Sequence, residues 1–327
     1  MYKIFIQDVA LLNTYLVAAD TDYINAIDSK GHTHLLINQA EVFNILDLKT
    51  ITKESDCHIR IPKVILAKLA RSGSIELTIV DGMVEMKLLD TQENCYCTAK
   101  FIKQDFPMSD YKLKMGLLQR LTSNDMIDLA QFESLEKLMR TTKSILNVSD
   151  GVAMIVATNG RVYKEVNPNY KFAVTQFAYS LLKRCSDKIY NVDNFLIAQN
   201  NGLTIIVNKC KGFSNSENTL FTEQKASLVC EIGLTDLKYF LNRMHSDNAS
   251  IKLNLENRVS HFSQGTISYE VPIEVSNLKS APNDDHIAVI PESIVREVLF
   301  TMETKGAVLA KKRTFTQIRI KNLLIVF

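Results

Sequence analysis

The chain has 327 residues, 46% of them hydrophobic and 23% charged, with a formal net charge of +2; this is ordinary globular composition at a length for two or three domains. No apolar run reaches the roughly 18 residues of a membrane-spanning helix, and the early Asp8 without a small-residue cleavage site excludes a signal-peptide reading of the opening stretch. Cys57, Cys95, Cys97, Cys185, Cys210 and Cys230 are scattered through apolar stretches without a CxxC pair, which suits a reducing cytoplasm better than a disulfide framework.

Residues 7–19 read as a helix, followed by strand-like runs 24–27 and 34–37 around Gly31. A second helix opens at Ile61-Pro62, with an apolar stripe of Val64, Ile65, Leu66 and Leu69, and Gly73 stops it. Runs 75–80 and 83–89 flank Asp81-Gly82 as a hairpin, and 95–103 alternates as another strand. Pro107 and the polar residues of 104–112 mark a domain junction. A third helix is predicted over 131–146, apolar at Phe132, Leu135, Leu138, Met139 and Ile145, with strands 152–157 and 161–166 turning at Asn159-Gly160. A helix over 174–185 and strands 195–199 and 203–208 around Asn201-Gly202 repeat that plan. After a polar stretch, 211–225, come helix 234–244, strands 250–255 and 259–263 around Glu256-Asn257, and strand 266–273. Loop 277–285 leads to a helix from Pro291 to about Glu303, then to strands 308–311, 315–320 and 323–327, the first pair turning at Lys311-Lys312.

One unit therefore recurs six times: helix, strand, tight turn, strand. The turns are about 51, 78, 42, 55 and 55 residues apart, spacings that signal repeated supersecondary units. Asn-Gly and Asp-Gly suit type I′ turns, whose two central residues need positive φ. Six half-units pair into three similar α+β domains, 1–107, 108–225 and 226–327.

No phosphate-loop, dinucleotide, zincin or nucleophile-elbow motif is present. The histidines and Cys95-x-Cys97 lack metal-site spacing, so neither an enzyme, a metal nor another cofactor is expected. The helices carry a more informative pattern. Lys63, Lys68 and Arg71 give 61–72 a net +3, and Lys183 and Arg184 give 174–186 a net +2. Lys137, Arg140 and Lys143 leave 131–144 at +1, and Lys238 and Arg243 leave 234–246 at +1, whereas the first helix is −2 and the last −1. Basic helices beside neutral or acidic sheets suit non-specific phosphate contact, though most charged helix faces are simply solvated.

The segment QDFPMSDY closing the first domain, KSILN at 143–147 and the hairpin VATNGRV at 156–162 together resemble the bacterial DNA polymerase sliding clamp, the beta subunit of the replicative polymerase. The resemblance implies a clamp fold with helices on the inner face and antiparallel sheets outside. It implies a head-to-tail homodimer that encircles double-stranded DNA, and partners that include DNA polymerase and a clamp loader, held by short peptides. It assigns Leu146, Thr158, Gly160, Val162, Ile325, Val326 and Phe327 to the partner-peptide pocket, although Leu146 and Val162 equally suit core packing. It sets Tyr96 at the dimer interface, opposite Phe240, Leu241 and Met244, and the basic helix residues toward DNA. The shortened first unit, the replaced hairpin residues and the missing proline segment after Phe221 are those of a divergent member, such as one carried by a phage or mobile element. A clamp-fold regulator or decoy that binds partners without encircling DNA is the alternative, favoured by the acidic first and last helices.

Overall fold

The computed structural model describes residues 2–5, 12, 15–16, 21–29, 32–38, 41–52, 57–68, 73–106, 108–139, 145–157, 160–212, 226–243, 250–264, 266–296, 305–312 and 315–327. The chain is α+β, and every strand pairing among these residues is antiparallel. It divides into two compact units, Met1–Asp128 with Phe177–Lys209, and Leu129–Gln176 with Cys210–Phe327.

The first unit holds a twelve-stranded sheet. Its main path runs Cys95–Ile102, Met83–Leu89, Ser74–Val80, Tyr2–Phe5, Val42–Thr52, Leu203–Asn208, Phe195–Asn200, Lys188–Val192 and Met126–Asp128. His32–Asn38, Tyr23–Ser29 and Cys57–Pro62 branch from Val42–Thr52 in that order. Val42–Thr52 is long enough to pair with three strands: His32–Asn38 along one edge, Leu203–Asn208 and Tyr2–Phe5 along the other. Helix Ser109–Leu118 lies where a junction loop was predicted. With Phe106 it packs Leu117 and Tyr111 onto Ile27, Leu36, Phe43, Ile45, Ile197 and Ile206.

The second unit has a nine-stranded sheet whose core is one cross-strand row. Ile155, Val162, Ile325, Ile318, Leu309 and Cys230 face each other across six consecutive strands. All are buried, and none exceeds 1% exposure. Met154, Tyr163 and Leu324 cover the opposite face, so the sheet is apolar on both sides there. A separate four-stranded sheet, Ile267–Pro272, Val259–Gln264, Ser250–Asn254 and Ile287–Pro291, is covered by helix Thr235–Arg243.

Several boundaries differ from the sequence reading. Residues Ile145–Ser149 form a strand, not the end of the third helix, whose described part is Leu129–Phe132 and Glu133–Met139. Val275–Ser280 is a strand that takes up the first part of the predicted loop. Ala157 pairs with Gly160, so Gly160 belongs to the second strand rather than to the predicted turn. Asn254 pairs with Val259, making that turn four residues long, and Lys311 pairs with Thr316. Asp81-Gly82 and Asn201-Gly202 have the positive φ pairs that a type I′ turn needs. The predicted helix 7–19 lies largely outside the described residues, but Leu12, Tyr15 and Leu16 are helical and buried.

Candidate functional site

The predicted pocket residues separate into core and rim. Leu146 faces Val174 inside the sheet and is fully buried, as are Val162 and Ile325. These three hold the wall together but offer no surface to a ligand. Gly160, Val326 and Phe327 lie half-buried at the rim of the sheet, Gly160 beside Phe327 on one face and the Val326 side chain on the other. A β-carbon on Gly160 would stand 2.7 Å from the Val326 carbonyl oxygen, 2.9 Å from Ile294 Cδ1 and 3.3 Å from Phe327 Cβ. Ile294, from the short helix Glu292–Ile294, thus belongs to this wall although no motif marked it. Its signal was only the apolar stripe after Pro291. Arg296 clamps that helix, its Nε donating to Glu292 Oε1 at 2.6 Å and its Nη1 to the Leu241 carbonyl at 3.1 Å. Val156, 41% exposed, shares the other face with Val326. Thr158 lies outside the described residues.

Of the basic helix residues, Lys68, Lys137, Arg184 and Arg243 are exposed. Lys63 and Lys238 are half-buried, and burial lowers the Lys238 pKa. Lys183 donates to Asp187 at 2.6 Å, which partly neutralises it, and the Arg243 guanidinium lies 4.0 Å from the Tyr239 ring centroid. Arg71, Arg140 and Lys143 lie outside the described residues.

The interface candidates also divide. Tyr96 is 47% exposed on Cys95–Ile102, an edge strand of the first unit's sheet, and its hydroxyl donates to the Lys68 carbonyl at 3.3 Å. Phe240 is half-buried against Phe262 and Tyr269, at ring-centroid distances of 5.3 and 5.6 Å. That places it beside Ile267–Pro272, the edge strand of the four-stranded sheet. Leu241 is fully buried, which corrects its assignment to an exposed interface: it points into the core beneath its helix. Met244 lies outside the described residues.

One alignment has a catalytic look. Ser280 Oγ lies 2.7 Å from His286 Nε2, and His286 Nδ1 lies 3.4 Å from Glu256 Oε2. The adjacent Ala281 N–H already donates to the Ser227 carbonyl at 2.7 Å, and Glu256 is solvent-exposed. The group fastens a loop in which His286 has φ 53°, and the Ala281 amide is already engaged rather than offered to an oxyanion. Among the described residues no cluster of His, Cys, Asp and Glu could hold a metal ion, and no helix is long and apolar enough to cross a membrane.

No family model and no curated protein matches the sequence. Solved structures do match over the whole chain. The DNA polymerase III beta subunit of Pseudomonas aeruginosa is 12% identical, with a TM-score of 0.69 over 100% of this chain and 99% of its own. A putative DNA polymerase III beta subunit from Eubacterium rectale gives 11%, 0.69, 100% and 99%. The Helicobacter pylori beta clamp, solved bound to a DNA ligase peptide, gives 12%, 0.65, 99% and 99%. From end to end, this chain has the fold of the bacterial DNA polymerase III beta subunits.

Proposed function

We propose that this chain is a DNA sliding clamp, a polymerase processivity factor. In this reading three similar domains, 1–107, 108–225 and 226–327, join those of a second copy head to tail around duplex DNA. The observation that carries it is the likeness to beta subunits across essentially the full length of both chains. A sliding ring needs phosphate contacts rather than base contacts, so that every register costs the same. Exposed Lys68, Lys137, Arg184 and Arg243 suit that role, and topology supplies retention that affinity need not. The edge strands bearing Tyr96 and flanking Phe240 would pair across the two subunit contacts, which also removes two open sheet edges. The half-buried rim around Gly160 and Phe327 would take a short peptide, the class of ligand bound to the H. pylori clamp. Polymerase and clamp loader would be held there in turn.

The test is retention on nicked circular DNA followed by linearisation, alongside the molar mass in solution. A ring has twice the 37.0 kDa chain mass, stays on the circle and slides off linear ends. A chain that binds peptide but leaves the circle as fast as the linear form would instead be the partner-binding regulator.

A further inference from the structure

Beneath the first turn of helix Ser109–Leu118, the first unit has a half-open cavity of about 270 Å³. Its floor is one face of the paired strands Cys57–Pro62, Tyr23–Ser29 and His32–Asn38. On that floor Arg60 stands directly across from Asn25, both half-buried. Among the described residues no carboxylate pairs with the Arg60 guanidinium, and no hydrogen bond engages the Asn25 amide. A partly buried guanidinium with five N–H donors and no anion is a costly arrangement unless something else supplies the acceptors.

The walls are aromatic. Tyr23 is 43% exposed at the mouth, Phe106 is buried, and Tyr111 is held by a 2.7 Å hydrogen bond between its hydroxyl and His34 Nδ1. At the far end Asn38 Nδ2 donates to Asp110 Oδ2 at 3.2 Å, and Asp110 lines the cavity there. Asn38 is two strands over from Arg60, roughly 10 Å across the sheet. The cavity is thus cationic at one end and anionic at the other, with flat apolar surfaces between.

We propose that this cavity binds a mononucleotide with an amino-bearing base. The phosphate takes the Arg60 fork and the Asn25 amide, the base stacks between Tyr23 and Tyr111, and its exocyclic amine donates to Asp110. Guanidinium matches phosphate geometry, aromatic faces stack on bases of any sequence, and a carboxylate accepts from an amine but repels a second anion. The ionised ends exclude a purely apolar ligand, and Asp110 excludes one with a second anionic group at the base end, such as a dicarboxylate. The volume lies just below the ~300–1,000 Å³ of drug-sized sites, which limits the occupant to about one nucleotide. The proposal stands independently of the clamp reading.

Calorimetric titration of the full chain with deoxyadenosine monophosphate, deoxyadenosine and thymidine monophosphate tests it. Saturable one-site binding is expected for deoxyadenosine monophosphate, about tenfold tighter than for the unphosphorylated nucleoside. Arg60→Gln should abolish that advantage, and Asp110→Asn should abolish the preference over thymidine monophosphate. Absence of saturable binding, or equal affinity for nucleotide and nucleoside, overturns the proposal. That comparison uses the unaltered chain and so decides even where a variant misfolds. Competition by a 5′-phosphorylated oligonucleotide would identify a strand end as the source of the nucleotide; without it, the ligand is the free nucleotide.

Discussion

Val162 and Ile325 face each other across an antiparallel pair, and both are completely shielded from water. The strand carrying Ile325 is bonded on both edges, to Gly160–Glu165 and to Thr316–Ile320. Phe327 closes it by exchanging both backbone hydrogen bonds with Thr316, at 2.9 and 3.0 Å. Removing residues 325–327 therefore takes out core and ladder together, and the truncated chain should melt at markedly lower temperature. Phe327→Ala is the cleaner probe. It should lower affinity for a clamp-binding peptide at least about tenfold while leaving the melting temperature within a few degrees. Unchanged peptide affinity, measured by fluorescence anisotropy, would move the binding surface elsewhere.

Two glycines should respond oppositely to alanine. At Gly160 a methyl group would meet the Val326 carbonyl and Ile294 inside ordinary contact distance, so Gly160→Ala should destabilise by about 1–3 kcal/mol. Gly116 lies within helix Ser109–Leu118 with nothing inside 4 Å of an added β-carbon. There alanine should stabilise by about 0.5–1 kcal/mol. Urea denaturation of both variants checks the sign of each change.

Lys68→Glu combined with Arg184→Glu should weaken DNA binding and flatten its salt dependence, by about 0.9 in log–log slope for each phosphate that is no longer neutralised. Both side chains are exposed, so the folded state should be unaffected. An unchanged slope in filter binding or anisotropy would place the DNA on another surface.

Tyr96→Ala should shift a dimer toward monomer in sedimentation velocity. Tyr96 is 47% exposed on an edge strand, so its removal costs the monomer the hydroxyl bond to the Lys68 carbonyl and part of its packing. A sedimentation profile identical to that of the unaltered chain would assign the subunit contact to a different edge.

Acid should loosen the sheet around His34. Burial pushes the His34 pKa below its ordinary value, the carboxylate of Asp47 partly opposes this, and the neighbouring His32 lowers it further. The fold thus favours the neutral imidazole, while the unfolded chain protonates near pH 6.5. Stability is full above that pH and declines as the pH falls from about 6.5 toward the folded value. His34→Gln should shrink the difference in melting temperature between pH 7.5 and 5.5. An undiminished difference would assign the acid sensitivity to other groups.

Turn chemistry was the most legible layer of the sequence. Asp81-Gly82 and Asn201-Gly202 announced their hairpins because few other residue pairs tolerate positive φ at both positions. Asp150-Gly151, with φ of 53° and 79°, carried the same signal but sat against a predicted helix end and went unread. The strand before it, ILNVS, is buried at four of its five positions, so it lacks the alternation that separates strand from helix. SDYKLKMGLL hid its helix for a different reason: its apolar residues follow no clear stripe, and only Leu117 is fully covered. For the proposed peptide site, the motifs pointed to neighbouring strands but not to which of their residues are buried. Val162 and Gly160 are two residues apart on one face, and only the register with Ile325 and Phe327 shows which of them ends at the rim.

The pairing of Val42–Leu46 with Leu203–Val207 has a consequence for synthesis. The two segments are roughly 160 residues apart, so at ribosomal speeds of about 5–20 residues per second the first waits on the order of 8–32 s for the second. Throughout that interval one edge of an apolar strand, Val42, Phe43, Ile45 and Leu46, lacks its native partner. Open edges of this kind recruit neighbouring chains, so the nascent protein is most exposed to aggregation before residue 208 emerges and depends there on whatever shields it.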